Sequence, residues 1–130
     1  VSRANQYGNN IESYLSDANG GVSVVIQIED KAGVDNLENI LEVAGLDSVF
    51  VGPYDLSASI GRTGDLKHPE VQALIDQVRK KCLEVDKPVG IFEPDIEAAR
   101  KRIEQGFSLI TISTDISCII RQTKTILQSI

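Results

Sequence analysis

Four short runs rich in valine and isoleucine limit most strongly what this chain can fold into. They span residues 22–28, 48–52, 88–92 and 109–113, and each is mostly continuous rather than strictly alternating. Continuous apolar runs of this length are typical of strands that are covered on both faces. The sequence therefore predicts four buried β-strands.

The segments between these runs have the spacing of helices. A first helix is predicted over residues 11–18, Pro69 suits the first turn of a later one, and Gly106 suits a C-terminal cap. In the other segments apolar residues recur every three or four positions. The residues that share a face are Val34, Leu37, Ile40 and Leu41, then Val71, Leu74, Ile75, Val78 and Cys82, then Ile96, Ala99 and Ile103, and finally Ile116, Ile119, Ile120, Thr123, Ile126 and Leu127.

The element order is one helix followed by four strand-helix units, which predicts an α/β fold with parallel strands and right-handed crossovers. Two architectures fit this order: an open doubly wound sheet, and one half of an eight-stranded α/β barrel. A whole barrel needs about 250 residues, whereas this sequence has 130. An initial helix followed by four units favours the second half of a barrel, with residues 1–130 as a single domain.

Composition excludes several classes of partner. The chain has 19 acidic and 13 basic residues, for a net charge of -6, which argues against nucleic acid or an anionic membrane surface. Two cysteines without a CxxC motif, and no secretory leader, argue against a disulfide framework and against export. No apolar run approaches the roughly 20 residues that span a bilayer. These features predict a cytoplasmic globular protein.

Every predicted strand ends near an acidic residue, and the strand ends form the functional edge in either architecture. Asp95 and Asp115 directly precede helices, where aspartate caps free backbone amides, so a capping role is expected for both. Glu93 is predicted to be a solvated loop residue. The full set is Glu29, Asp30, Asp55, Glu93, Asp95 and Asp115.

Glu29 and Asp55 leave consecutive strands at about the same level. Neighbouring parallel strands lie about 4.8 Å apart, so these carboxylates can converge on one point, where they would repel each other. A hard divalent cation relieves the repulsion, and Mg²⁺ is commonly held by one or two carboxylates plus water and substrate oxygens. Paired carboxylates also occur in structural networks, so spacing leaves both interpretations open.

Several motifs together resemble a known family. QIED (27–30), VAGLDSVFVGPYDLSASIG (43–61), HPEV (68–71), KPVGIF (87–92) and GFSLITISTD (106–115) resemble the carboxyl-terminal half of the HpcH/HpaI class II aldolases. The combination of QIE with GPxDLS about 26 positions later, each at a strand end, is specific. The resemblance implies a TIM-type (β/α)8 barrel of which this chain is the second half.

The resemblance also implies a site. Glu29 and Asp55 would be the two protein ligands of Mg²⁺, Mn²⁺ or Co²⁺, and Gln27 would face the substrate. Backbone amides around Gly52, Pro53, Tyr54 and Asp55 would hold pyruvate, with no role implied for the Tyr54 hydroxyl. The aldehyde part of the substrate would lie by Phe92 and Glu93, and the segment SASIG (57–61) would be a small, flexible loop that admits it.

The implied activity is the metal-dependent cleavage or formation of 4-hydroxy-2-oxo acids through an enolate of pyruvate. A citryl- or malyl-CoA lyase relative is the alternative within the superfamily. The resemblance also implies that full-length members form oligomers, often hexamers, in which the last helix packs on a neighbouring subunit.

The family pattern also contains an arginine that binds the keto acid and a histidine base with an acidic partner, and neither has a counterpart in this sequence. His68, the only histidine, matches the family HP motif and is expected to be structural or on the surface. Arg3 and Arg62 are poor replacements because neither lies at a strand end. A non-catalytic half-barrel, serving assembly or metal binding, is therefore a second hypothesis. A flavodoxin-like nucleotide binder fits poorly, because QIEDKAG stands where a glycine-rich phosphate loop would be needed.

Overall fold

Strands and helices alternate along the chain in the computed structural model, which describes residues 3–130 apart from the side chains of Ala4 and Asn5. A 3-10 helix, Arg3–Gly8, precedes the regular elements. These are α1 (Ile11–Asp17), β1 (Val25–Ile28), α2 (Lys31–Asp35), α3 (Leu37–Leu41), β2 (Ser48–Val51), α4 (Pro53–Ser59), α5 (Pro69–Glu84), β3 (Val89–Glu93), α6 (Ile96–Glu104), β4 (Leu109–Ile112) and α7 (Asp115–Gln128).

The four strands form one parallel sheet in the order β1-β2-β3-β4. Ile28 pairs with Val51, Val51 with Ile91, and Ile91 with Ile110, so the strands run in register. All four carboxyl ends therefore lie along one edge of the sheet. The prediction of four parallel strand-helix units is confirmed.

One face of the sheet packs against the helices and forms the core. Alternate strand residues point to this face, because side chains in a strand alternate with a period of two. The strand residues in the core include Ile28, Val49, Val51, Val89 and Ile91, and the helical residues packed with them include Val34, Leu37, Leu56, Val71, Ile75 and Val78. Glycine at position 90 is needed on the opposite face, since a Cβ there would lie 2.7 Å from the Phe50 ring.

Burial differs between the inner and the outer strands. β2 and β3 are buried along most of their length, as predicted. In the outer strands Val25, Leu109 and Ile112 remain exposed by 43–45% of their surface. The prediction that all four strands are covered on both faces is therefore wrong for β1 and β4, because each outer strand has a neighbour on one side only.

The largest departure from the predicted helices follows β2. The segment SASIG was expected to be a flexible loop, but Ser57 and Ser59 belong to α4, which begins at Pro53. The Ser57 hydroxyl donates to Tyr54 O at 2.6 Å and accepts from Gly64 N–H at 3.0 Å. The small polar residues therefore hold a helical turn and the following loop together. Elsewhere, the single helix expected around Val34 and Leu41 is divided at Asn36 into α2 and α3.

The helix caps follow the sequence in two of three cases. Asp95 Oδ1 accepts from Ala98 N–H at 2.9 Å, and Gly106, with φ of 96°, follows the end of the same helix. The expectation for Asp115 is confirmed only in part, because its Oδ1 accepts from Ile116 N–H at 2.8 Å but it is not the N-cap residue. Thr114 Oγ1 accepts from Ser117 N–H at 3.2 Å, so the threonine caps α7 and Asp115 is its first residue.

The apolar stripe of α7 is exposed within this chain. Ile116, Ile119 and Leu127 each expose about two thirds of their surface, at 65%, 66% and 67%. Within residues 3–130, no helix has both the length and the apolar character needed to cross a membrane.

Candidate active site

Gln27 and Glu29 point to the same face of the sheet, because they lie two residues apart at the end of β1. Gln27 Nε2 donates a hydrogen bond to Glu29 Oε2 at 2.7 Å. Both side chains are exposed. The amide therefore fixes the orientation of the Glu29 carboxylate and leaves its second oxygen available to a ligand.

Gly52 makes room for this pair at the end of β2. Its N–H donates to Ile28 O at 3.0 Å, which continues the ladder between β1 and β2. A Cβ at Gly52 would lie 2.6 Å from Gln27 Nε2 and 3.1 Å from Glu29 Cβ. Its φ of -94° suits any residue, so glycine is needed here for space rather than for its backbone freedom.

Asp55 lies three residues after Gly52, in the first turn of α4. Proline at the first position of the helix suits that turn, since its missing N–H has no partner there in any case. The Asp55 side chain is exposed, and a negative charge in the first turn is stabilised by the helix dipole. The expected acid therefore lies at the carboxyl end of β2, held by a helix rather than by a loop.

A cavity of about 660 Å³ opens at this edge of the sheet. Most of the residues that the sequence predicted for the site line it together: Gln27, Gly52, Pro53, Tyr54, Asp55 and Phe92. Glu29 adjoins this group through its hydrogen bond to Gln27. The Tyr54 and Phe92 rings meet edge to face, with centroids 6.0 Å apart and planes at 60°, and form an aromatic wall.

Glu93 does not belong to this group, and two expectations about it are wrong. It is the last residue of β3 rather than a solvated loop residue, and it is 7% exposed. Its side chain points to the face opposite that of Phe92, where Arg102 Nε lies 2.6 Å from Glu93 Oε1. Strand alternation therefore directs Phe92 to the cavity and Glu93 to the helix layer.

Sequence reasoning missed one wall of the cavity. Its residues come from β4, the following loop and α7: Thr111, Ser113, Thr114, Ser117 and Arg121. Ser113 has a φ of 61°, a conformation that is uncommon outside glycine. A signal was present, because Thr111 alternates with apolar residues in β4, and Ser117 and Arg121 are four residues apart on a helix.

The donor set fits a hard divalent cation with open positions. Two carboxylates supply oxygen ligands, and Mg²⁺ is commonly bound by one or two carboxylates with water and substrate completing its shell. Among residues 3–130, no group of three or more His, Cys, Asp or Glu side chains could hold a metal. If Glu29 and Asp55 held such a cation, water or another ligand would have to fill the remaining positions of its shell.

The remaining candidates lie away from the cavity. His68 Nδ1 accepts from Glu70 N–H at 3.2 Å and caps α5, which agrees with the expected structural role. Arg62 lies 3.8 Å from Glu70, and Arg3 is exposed in the 3-10 helix. None of these three lines the cavity.

The chain is similar to aldolases over nearly its whole length. It is 38% identical over 119 residues to a hydroxypyruvate/pyruvate aldolase from Chromohalobacter salexigens, covering 92% of this chain and 46% of that protein. It is 38% identical over 114 residues to a 5-keto-4-deoxy-D-glucarate aldolase from Klebsiella pneumoniae, covering 88% and 44%. The chain thus spans about half the length of these relatives.

A solved structure agrees with these similarities. The crystal structure of an HpcH/HpaI aldolase/citrate lyase family protein from Burkholderia cenocepacia matches with a TM-score of 0.92 and 42% identity, covering 98% of this chain and 49% of that one. The four strand-helix units therefore correspond to half of a TIM-type barrel. The HpcH/HpaI aldolase/citrate lyase family profile matches residues 1–121, and this chain belongs to that family.

Proposed function

We propose that this chain is the metal-binding half of a class II aldolase, a carbon-carbon lyase that cleaves or forms 4-hydroxy-2-oxo acids. The observation that carries the proposal is the arrangement of Glu29, Gln27 and Asp55 at adjoining strand ends. Gln27 holds the Glu29 carboxylate at 2.7 Å and lines the same cavity as Asp55. Membership of the family supports a lyase, and the two carboxylates support the metal.

Each of these side chains has a distinct task. Glu29 and Asp55 would hold Mg²⁺, Mn²⁺ or Co²⁺, which acts as a Lewis acid towards a keto oxygen when bound. Gln27 keeps the Glu29 carboxylate oriented, and such supporting hydrogen bonds typically change metal affinity or activity by about 10- to 100-fold. The open side of the site admits pyruvate.

The backbone of α4 supports this placement of pyruvate. Pro53 has no N–H, and the Gly52 N–H is already donated to Ile28 O. The backbone hydrogen bonds to pyruvate would therefore come from the N–H groups of Tyr54 and Asp55. Both N–H groups lie in the first turn of α4, which has no side-chain cap. The Tyr54 and Phe92 rings would exclude water from one side of the substrate.

The relatives supply the substrate class. Their names specify hydroxypyruvate, pyruvate and 5-keto-4-deoxy-D-glucarate as substrates of those proteins. These names share one reaction, the cleavage or formation of an aldol carbon-carbon bond in a 2-oxo acid. We extend that reaction to this chain. The base is assigned to the other half of such a barrel, because His68, the only histidine, caps a helix.

The test is pyruvate release from 4-hydroxy-2-oxopentanoate by the complete protein, with added Mn²⁺ or with EDTA. The expected result is metal-dependent release that Asp55→Asn lowers by at least 100-fold, since removal of a ligand should exceed the effect of a supporting hydrogen bond. Asp86→Asn is the matched control, because Asp86 is exposed in the turn after α5.

Release that persists in EDTA and in Asp55→Asn would overturn the proposal. Cleavage of a citryl- or malyl-CoA thioester, with none of the keto acid, would favour the CoA lyase alternative. Binding of Mn²⁺ with neither activity would favour the non-catalytic half-barrel.

A further inference from the structure

The chain turns sharply between β4 and α7. β4 ends at Ile112, Thr114 is the N-cap residue of α7, and Ser113 is the residue between them. Ser113 N–H donates to Glu93 O at 2.9 Å, which continues the ladder between β3 and β4 beyond the end of β4. The change from strand to helix therefore takes place at Ser113, while its backbone stays bound to β3.

Ser113 makes this turn in a conformation that is unfavourable for serine. Its φ of 61° lies in the left-handed region, where the Cβ of a residue other than glycine is crowded. Among the described residues, Gln6, Tyr7 and Asp86 are the other non-glycine residues with a positive φ, and none of them lines the cavity at the strand ends. Ser113 does line it. Glycine would make the same turn without strain, so the serine side chain is the feature that needs a reason.

The Ser113 hydroxyl has no partner within the described part of the chain. Its neighbours are paired, since Thr114 Oγ1 donates to Ser117 Oγ at 2.8 Å, but no described residue forms a hydrogen bond with Ser113 Oγ. Ser113 is half-buried, and no buried side-chain oxygen or nitrogen of the described residues lacks a partner. The Ser113 hydroxyl is therefore accessible from the cavity and free to donate a hydrogen bond.

A serine at a sharp, strained turn from strand to helix presents its hydroxyl at the top of the sheet, as the nucleophile of α/β-hydrolases does. A nucleophilic serine also needs an adjacent base. The only histidine of this chain, His68, accepts from Glu70 N–H at the start of α5 and does not line the cavity. Ser113 is therefore suited to donate a hydrogen bond and not to attack a substrate.

The position of Ser113 indicates which part of a substrate it would meet. Asp55 follows β2 and Ser113 follows β4, with β3 between them in the sheet. Phe92, near the end of β3, lines the cavity between these two positions. A substrate with its 2-oxo acid end at Asp55 would extend past Phe92 towards Ser113, so Ser113 would meet the part that becomes the aldehyde.

We propose that Ser113 is a substrate-binding residue whose hydroxyl donates to an oxygen of the aldehyde-derived part of the substrate. In 4-hydroxy-2-oxopentanoate this is the oxygen on C4. The left-handed backbone of Ser113 directs the hydroxyl into the cavity, and the strain lowers the stability of the fold in exchange for this contact. The inference rests on the proposed function, because it assumes that the 2-oxo acid end lies at Glu29 and Asp55.

Two substitutions separate the hydroxyl from the strain. Ser113→Ala removes the hydroxyl and keeps the strained Cβ, whereas Ser113→Gly removes both. In the complete protein with Mn²⁺, both variants should lower kcat/KM for 4-hydroxy-2-oxopentanoate about fivefold, as expected for the loss of one hydrogen bond. Inhibition by pyruvate, which lacks the aldehyde-derived part, should be unchanged. Ser113→Gly alone should also raise the midpoint of thermal unfolding, by about 2 °C or more.

Asp86→Gly is the matched control for strain. Asp86 has a φ of 55° and is exposed in the turn after α5, away from the cavity. This variant should raise the midpoint of thermal unfolding in the same way as Ser113→Gly and keep the native kcat/KM.

Three results would overturn the inference and leave the proposed function standing. They are a native kcat/KM in Ser113→Ala and Ser113→Gly, a loss of pyruvate inhibition equal to the loss of kcat/KM, and a midpoint that rises in Asp86→Gly but not in Ser113→Gly. Absence of pyruvate release by the native protein with Mn²⁺ would overturn the inference together with the proposed function.

Discussion

Arg102 Nε lies 2.6 Å from Glu93 Oε1, and the two side chains are 14% and 10% exposed. Arg102 also donates to Gln72 Oε1 at 3.0 Å and lies 5.7 Å from the centre of the Phe107 ring. The pair therefore joins the end of β3 to α5 and α6. Because Phe92 is the preceding residue, this pair also fixes the strand that directs the Phe92 ring to the cavity.

Substitution of Arg102 should lower the free energy of unfolding. Arg102→Met would leave the Glu93 carboxylate nearly buried without its partner, and we expect a loss of about 3 kcal/mol in the free energy of unfolding. Urea denaturation measures it. Arg100→Met, on the exposed side of the same helix, should change stability by less than about 0.5 kcal/mol.

The double variant Glu93→Leu/Arg102→Met checks the mechanism. It removes both charges, so it should be more stable than Arg102→Met alone. Equal stability of Arg102→Met and the native protein would show that the pair contributes nothing.

Gly52→Ala should disturb the site without strain in the backbone. The added Cβ would lie 2.6 Å from Gln27 Nε2, so Gln27 must move and the Glu29 carboxylate loses its hydrogen bond. We expect Mn²⁺ affinity to fall about 10-fold or more. Gly20→Ala is the control, because its Cβ would meet its nearest atom, Asp17 O, at an ordinary 3.6 Å. Native affinity in Gly52→Ala would contradict the role given to Gln27.

The two cysteines should differ in reactivity. Burial raises the pKa of the Cys82 thiol to about 11, while Cys118 is exposed on α7. In a Cys118→Ser variant, we expect a thiol reagent at pH 8 to modify Cys82 only after denaturant is added, because the reactive thiolate is scarce in the folded state. Rapid modification of the folded variant would contradict the burial of Cys82.

The raised pKa of the Cys82 thiol also predicts that the free energy of unfolding depends on pH. The unfolded Cys82 thiol ionises near pH 9.0, below its folded value of about 11, so the unfolded state binds fewer protons between these values. Cys82 therefore lowers the free energy of unfolding as pH rises from 9 to 11. Cys82→Ala should show a smaller loss over this range, measured by urea denaturation. A loss as steep as that of the native protein would rule out this contribution.

The sequence predicted the sheet well because the local pattern of apolar residues determines where the strands form. Each Val- and Ile-rich run became a parallel strand, and Asp95 and Gly106 took their expected places at the ends of α6. Burial was overestimated for Val25 and Leu109, because a continuous apolar run does not distinguish an inner strand from an outer one.

The errors near the site came from tertiary context. SASIG has loop-like composition, but residues 57–59 belong to α4, and the Ser57 hydroxyl donates to Tyr54 O and accepts from Gly64 N–H. Glu93 was predicted to be solvated because its partner, Arg102, lies nine residues later in the chain and the sequence alone does not pair them. Arg121 was not predicted because it lies within α7 and not at a strand end. Only the packing of α7 brings it to the cavity.

The most direct test of the proposed metal site is Mn²⁺ binding, followed by electron paramagnetic resonance, in the native protein and in Glu29→Gln, Asp55→Asn and Glu104→Gln variants. Glu104 is exposed at the end of α6 and serves as the control. We predict one Mn²⁺ site, with affinity lowered at least 100-fold by either Glu29→Gln or Asp55→Asn and unchanged in Glu104→Gln. Native affinity in both Glu29→Gln and Asp55→Asn would contradict the assignment of these carboxylates as metal ligands.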